Sequence, residues 1–153
     1  MKEKYTKGKI KMEDIHKEID LIQACITRMA DNSFRLKELY VSLISIAITV
    51  MLSQACDWLI VGLFLLGVTT VFWGLDAFFL KMETLYRWKY DWVIEKRIAG
   101  EQDYLYNLNP QNKKMWLDIE KKNECFMRFV FSKTLVTLYG TVIVISLFFT
   151  LVV

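Results

Sequence analysis

The stretch FWGLDAFFLK, residues 72–81, places a single carboxylate inside an apolar run. A charged side chain in surroundings poor in water is unfavourable unless it finds a partner. We therefore expect Asp76 to meet Arg35 or Lys37, at the entrance of the preceding apolar run, or the backbone near Ser33. Such a contact would hold two helices in register. The alternative is a ring of Asp76 carboxylates from several copies, which would favour cations at a cytoplasmic vestibule.

The hydrophobicity of the chain, 54% of its residues, is concentrated in uncharged runs at residues 39–56, 58–75 and 134–153. About 20 apolar residues cross the roughly 30 Å hydrocarbon core of a bilayer as a helix. We predict a transmembrane helical hairpin at residues 39–80 and a third transmembrane helix at residues 134–153. Residues 1–38 and 81–133 are then two cytoplasmic helical regions.

Basic residues are distributed unevenly around these runs. Nine Lys and Arg precede the first run and eleven lie between the second and third, whereas the 53–58 connection carries only Asp57. Because loops rich in Lys and Arg stay on the cytoplasmic side, we expect a cytoplasmic N-terminus and an outward C-terminus. The net charge of +3 is small and mixed in sign, which argues against nucleic acid as a partner.

An apolar seam precedes the first run and continues into it. From Met12 to Tyr40 the residues facing one side of a helix are spaced alternately by three and four, and they include Ile15, Ile19, Ile22, Ile26 and Met29. This heptad spacing predicts an amphipathic helix at residues 1–38 whose seam is buried, either on later helices of the same chain or on other copies. We expect it to be the seam of a homo-oligomer. Glu18 and its charged neighbours are expected to form a solvated flank.

The second apolar run is followed by a helical pattern without Gly or Pro until Gly100, which predicts one helix of about 40 residues. Asn109 followed by Pro110 is typical of a helix start, and we expect a third helix to run from there into the last span. The fold predicted is therefore an all-α membrane protein, a bundle of three long helices that are each part cytoplasmic and part transmembrane.

Two side-chain patterns allow a structural and a functional interpretation. We expect four aromatic residues either to form an interfacial belt and to pack against the N-terminal helix, or to form a surface for an aromatic ligand or a partner: Tyr86, Trp88, Trp92 and Trp116. Ser42, Ser45, Thr49 and Ser53 make a hydroxyl stripe on one face of the first span, which suits close helix packing or the lining of a pore.

The sequence lacks the residue sets on which catalysis usually depends. It has a single His, no glycine-rich phosphate loop, and three Cys without a CxxC spacing. We expect a protein that is not an enzyme and that uses no cofactor or metal.

The segments ITRMADNSFRLKELYVSLIS, residues 26–45, and FWGLDAFFLKMETLYRWKYD, residues 72–91, resemble small bacterial membrane effectors of anti-phage defence clusters, akin to the two-helix SLATT proteins. The resemblance lies in the Asn32–Ser33 pair, in Arg35 and Lys37, and in the stretch from Trp73 to Asp76. It implies an oligomeric effector that a nucleotide second messenger or a soluble defence protein activates to breach the inner membrane. Glu38–Leu39, where Gly-Trp is expected, and the third span depart from the pattern.

Two functions are compatible with these observations. The first is an oligomeric inner-membrane effector that forms or gates a pore and disrupts membrane integrity. The alternative is a membrane-anchored scaffold that recruits a soluble partner and conducts no ions. A small transporter is disfavoured, because Asp76 is the one intramembrane charge available for coupling to an ion.

Overall fold

The computed structural model describes residues 11–53, 57–119 and 125–152, and these residues form helices and no strand. The helices are α1 (Met12–Leu52), α2 (Trp58–Ile98), α3 (Lys113–Asp118), α4 (Phe126–Val130) and α5 (Lys133–Val152). The predicted all-α class is confirmed. The prediction of three long helices is wrong, because the third part of the chain is divided among α3, α4 and α5. Residues 1–10 of the predicted first region and residues 54–56 of the connection lie outside the described residues.

Helices α1 and α2 form an antiparallel hairpin along their whole length. At one end, Ile22 and Ile26 of the seam are buried with Trp92 and Val93 of α2. At the other end, Ala47 of α1 is buried beside the first turns of α2. The seam is thus covered by the chain's own second helix, which is the first of the two possibilities that the heptad pattern allows.

Helix α2 holds 41 residues and runs without a break to Ile98, as the absence of Gly and Pro after Lys81 predicts. Gly100 follows with a φ of +76°, a left-handed conformation that glycine adopts without strain. Lys96 and Arg97 lie in the last turn, where they complement the partial negative charge of a helix C-terminus.

The predicted helix start at Asn109 and Pro110 is wrong. The side chain of Asn109 instead accepts a hydrogen bond from the backbone N–H of Gln111 (2.9 Å), a turn within the loop. Asn112 caps α3 by accepting the N–H of Lys114 (3.0 Å). Two asparagines three positions apart, Asn109 and Asn112, offer competing caps, and the helix begins after the second one.

The expected continuous third helix is also interrupted between α4 and α5. The indole N–H of Trp73 donates to the backbone carbonyl of Val130 (2.8 Å), so this carbonyl bonds to α2 at the point where α4 ends. Phe129 of α4 is buried against Tyr40, Ala77 and Tyr139. Side-chain packing onto α1 and α2 therefore takes precedence over helix continuity here.

The molecule has two regions, and they differ in how many large apolar side chains their helices expose. One region contains α3 and the adjoining halves of α1 and α2. The other contains α5 and the remaining halves of those helices, and large apolar side chains are exposed on all three, for example Ile46, Leu63, Phe64, Val144 and Phe148. Among the described residues, one helix, over Leu59–Ile98, is long and apolar enough to cross a membrane, and α5 contains a shorter apolar stretch.

Candidate functional site

The carboxylate of Asp76 is fully buried and bonded to three side chains. The ammonium of Lys37 lies 2.7 Å from Oδ2 and 2.8 Å from Oδ1. The hydroxyl of Ser33 donates to Oδ1, and the hydroxyl of Tyr139 donates to Oδ2 at 3.2 Å. One ammonium and two hydroxyls thus solvate a charge that has no access to water.

Three helices contribute to this site, and their geometry explains the arrangement. Ser33 and Lys37 lie four residues apart on α1, so both reach Asp76 on α2 from the same face, and Lys37 also donates to Ser33 (2.6 Å). Tyr139 comes from α5, and its ring packs against Tyr40 with ring centres 4.9 Å apart. The site holds α1, α2 and α5 together at one level along the α1–α2 hairpin, the level of Asp76.

The structure brings Asp76 and Lys37 together and leaves Arg35 on the exposed surface of α1. Because Asp76 is enclosed within a single chain, it cannot ring a vestibule between copies, so that alternative is wrong. Tyr139 was not expected as a partner. Its position inside an apolar run carries no sign of a buried carboxylate nearby.

A second buried ion pair joins the other halves of α1 and α2. Arg97 binds Glu18 through two nitrogens, at 2.8 Å and 3.0 Å. Arg97 also donates to the backbone carbonyl of Glu101 (2.6 Å), and Glu18 accepts the N–H of Tyr106 (2.8 Å). The prediction that Glu18 belongs to a solvated flank is wrong, because the loop after α2 folds over it and leaves it 1% exposed.

Lys89 lies in the same region with no exposed surface. Its ammonium has no hydrogen-bond partner among the described residues and stands 5.3 Å from the centre of the Trp92 ring. Burial lowers the pKa of Lys89 from 10.5 to about 8, with Glu18 opposing the shift and Arg97 adding to it. An ammonium without hydrogen bonds in a buried position destabilises the fold around it.

The predicted aromatic ligand surface is largely taken up by packing. Trp92 is 2% exposed and its indole N–H donates to Asp118 (3.0 Å). Trp88 and Trp116 meet edge to face with ring centres 6.0 Å apart, and Tyr86 is half-buried against the same core. These residues hold α3 onto α2, and Trp92 also packs with the buried residues of α1, as the expected packing against the N-terminal helix requires. The interfacial belt stays a prediction.

The hydroxyl stripe of α1 faces away from the rest of the chain. Ser42, Ser45, Thr49 and Ser53 are all exposed, and each hydroxyl donates to a carbonyl of the preceding turn of α1. The stripe therefore makes no close packing within one copy. The same face continues with further exposed polar residues toward the N-terminus: Glu38, Arg35, Asp31 and Thr27. A shallow groove runs along that part of it.

Within residues 11–53, 57–119 and 125–152, no three His, Cys, Asp or Glu side chains are grouped so as to hold a metal ion. Comparison with family models, curated proteins and solved structures finds no match for this chain.

Proposed function

We propose that this protein is an oligomeric effector of a bacterial inner membrane, whose copies assemble a pore lined by α1 and disrupt membrane integrity on activation. The observation that carries the proposal is the exposed polar face of α1. It lies opposite the seam that packs on α2, and it runs from Thr27 to Ser53.

The neighbours of this face have the character expected of contacts between copies. Val41 and Ile48 flank it on one side, and Ile46 and Val50 flank it on the other, all of them exposed. A polar stripe between two apolar margins is the pattern of a helix that faces water along one line and other helices or lipid on both sides. From Glu38 to Ser53 the stripe extends about 23 Å, most of the thickness of the hydrocarbon core.

Membrane placement in this proposal rests on three spans. Helix α2 and the apolar parts of α1 and α5 would cross the bilayer, with Asp76 near its cytoplasmic boundary and the α3 region in the cytoplasm. The buried seam implies that copies associate through a surface other than Ile15, Ile19, Ile22, Ile26 and Met29. Since the helices of one copy pack on each other, a water path requires several copies.

Activation would act on the cytoplasmic region. Helices α1 and α2 pass from that region into the proposed membrane region without a linker. A nucleotide second messenger or a soluble defence protein that repacks the region would therefore tilt both spans. The defence role and the activator are inferred from the resemblance to anti-phage membrane effectors.

Dye release from liposomes that contain the purified protein tests the pore. The variant Ser45→Leu/Thr49→Leu should abolish the release that follows addition of a small-molecule extract of phage-infected cells. The matched control is Thr70→Leu/Thr141→Leu, since these exposed threonines of α2 and α5 also bond to their own helices. The control should leak like the parent protein. Equal leakage from both variants would refute a pore lined by α1.

A scaffold that binds a soluble protein is the second candidate. It is favoured by exposed apolar residues in the α3 region, where Ile98 is 82% and Leu117 is 78% exposed. Two results together would support the scaffold function instead. Liposomes with the inserted, oligomeric protein would release no dye with or without the extract, and Ile98→Asp/Leu117→Asp would abolish capture of a specific cytoplasmic protein.

A further inference from the structure

The segment at residues 125–133, which contains α4 and leads into α5, exposes apolar and basic side chains together. Phe126, Met127 and Phe131 are exposed, Phe131 by 64%. Arg128 and Lys133 are exposed beside them, and the segment contains no acidic residue. Aromatic rings and positive charges that are exposed together in so short a stretch mark it as a candidate interaction surface.

The height of this segment is fixed by its inward contacts. Phe129 is buried against Ala77 and Tyr139, and the carbonyl of Val130 accepts the indole N–H of Trp73. These contacts bracket Asp76, just before the exposed apolar surface of α2 ends at Phe78. The segment is therefore continuous with the apolar surface on one side and begins the charged region on the other.

The first helix has the same combination at the same height. Phe34 is 63% exposed and Arg35 is exposed next to it. They lie between Ser33 and Lys37, the two α1 residues that contact Asp76. Aromatic rings and basic side chains occur together where lipid headgroups meet the hydrocarbon core.

We propose that the 125–133 segment binds the anionic headgroups of phospholipids in the cytoplasmic leaflet, with Phe126, Met127 and Phe131 among the acyl chains and with Arg128 and Lys133 at the phosphates. This inference rests on the membrane placement in the proposed function and is independent of whether the assembly conducts. The positive charge of Lys133 at the N-terminus of α5 is unfavourable for the helix dipole, which is a further reason to expect an anion beside it.

Cys125 supplies a probe site, because it is exposed at the start of the segment while Cys25 is buried. The full chain carrying Cys56→Ser is labelled at Cys125 with an environment-sensitive fluorophore and placed in phosphatidylcholine vesicles. Brominated phosphatidylglycerol or brominated phosphatidylcholine is then titrated as the quencher. We expect the anionic lipid to bind tighter, by about fivefold for each basic residue involved, and added salt to weaken the preference.

In the variant Arg128→Gln/Lys133→Gln, both brominated lipids should quench the label equally. The variant Arg128→Lys/Lys133→Arg should keep the preference for the anionic lipid. Lys17→Gln/Lys113→Gln removes the same charge from exposed positions elsewhere and should also keep it. Equal quenching of the parent protein by both lipids, or a preference that survives in the glutamine variant, overturns the proposal. So does a label that neither lipid quenches in inserted protein, since another copy or protein then covers the segment. Dye release from the same vesicles after addition of the extract of phage-infected cells reports on the pore separately. A lipid preference without leakage under that condition would refute only the proposed function.

Discussion

Replacing Lys89 with methionine should stabilise the protein at neutral pH. Methionine fills a similar volume without a charge, and the ammonium it removes is fully buried and lacks a hydrogen bond within the described residues. The pKa of Lys89 is lowered from 10.5 to about 8. At pH values below both of these pKa values, this shift corresponds to a destabilisation of the folded state by about 3 kcal/mol. Loss of the contact with the Trp92 ring offsets about 1 kcal/mol of that. The expected gain in unfolding free energy is therefore about 2 kcal/mol.

The pH dependence has a definite sign. Between about pH 8 and pH 10.5 the unfolded chain binds the proton of Lys89 and the folded chain does not, so the stability of the parent protein rises with pH. Below pH 8 both states are protonated and the destabilisation is complete, and above pH 10.5 both are neutral and it disappears. The advantage of Lys89→Met should therefore be largest near pH 7 and shrink steadily as the pH rises from about 8 to 10.

The assay is unfolding by sodium dodecyl sulfate in mixed micelles, followed by circular dichroism at pH 7, 8, 9 and 10. The difference between variant and parent isolates Lys89 from other groups that titrate in this range. Lys17→Met, at an exposed position of α1, is the matched control and should show no such trend. A variant less stable than the parent at pH 7, or a difference that stays constant with pH, would refute the reasoning.

Three further predictions concern the buried contacts. Asp76→Leu, which leaves the Lys37 ammonium without its carboxylate, should destabilise the fold by about 3 kcal/mol, and Lys37→Met in the same chain should recover most of this; a double-mutant cycle of unfolding free energies without coupling would contradict it. Ile22→Asp should unfold the α3 region rather than merely separate copies, because Ile22 is 0% exposed inside one chain; hydrogen exchange unchanged around Trp92 would count against this. Glu18→Gln should leave the Arg97 charge buried and unpaired and destabilise by about 2 kcal/mol or more, with the loop after α2 becoming protease-sensitive; an intact loop would show that the pair does not hold it.

The helices whose patterns are regular could be predicted from the sequence. The heptad spacing of α1 and the unbroken pattern of α2 reflect local geometry, which depends only on neighbouring residues. The need of Asp76 for a partner follows from its solvation alone, and Lys37 was among the candidates because it is the last basic residue before the first apolar run. Homo-oligomerisation through the seam does not follow from its spacing, since a heptad pattern does not say which helix covers it.

The features that sequence reasoning missed depend on contacts distant in the chain. Glu18 is buried by a loop that contacts it through Tyr106, 88 residues later, and whose Tyr104 and Tyr106 both adopt positive φ angles. The predicted third helix is interrupted after Val130, whose carbonyl accepts a hydrogen bond from Trp73, more than 50 residues earlier. Periodicity within a window carries no information about either contact.

The continuity of α1 and α2 has a mechanical consequence. Each holds 41 residues, so each is a rod of about 60 Å, and a tilt of about 5° about one end displaces the other end by about 5 Å. Between α2 and α5 the described residues form no such continuous helix, since α3 ends at Asp118 and α4 ends at Val130 before α5 begins. If α1 and α2 cross the bilayer as proposed, motion of the α3 region would be transmitted along both helices into the membrane as leverage.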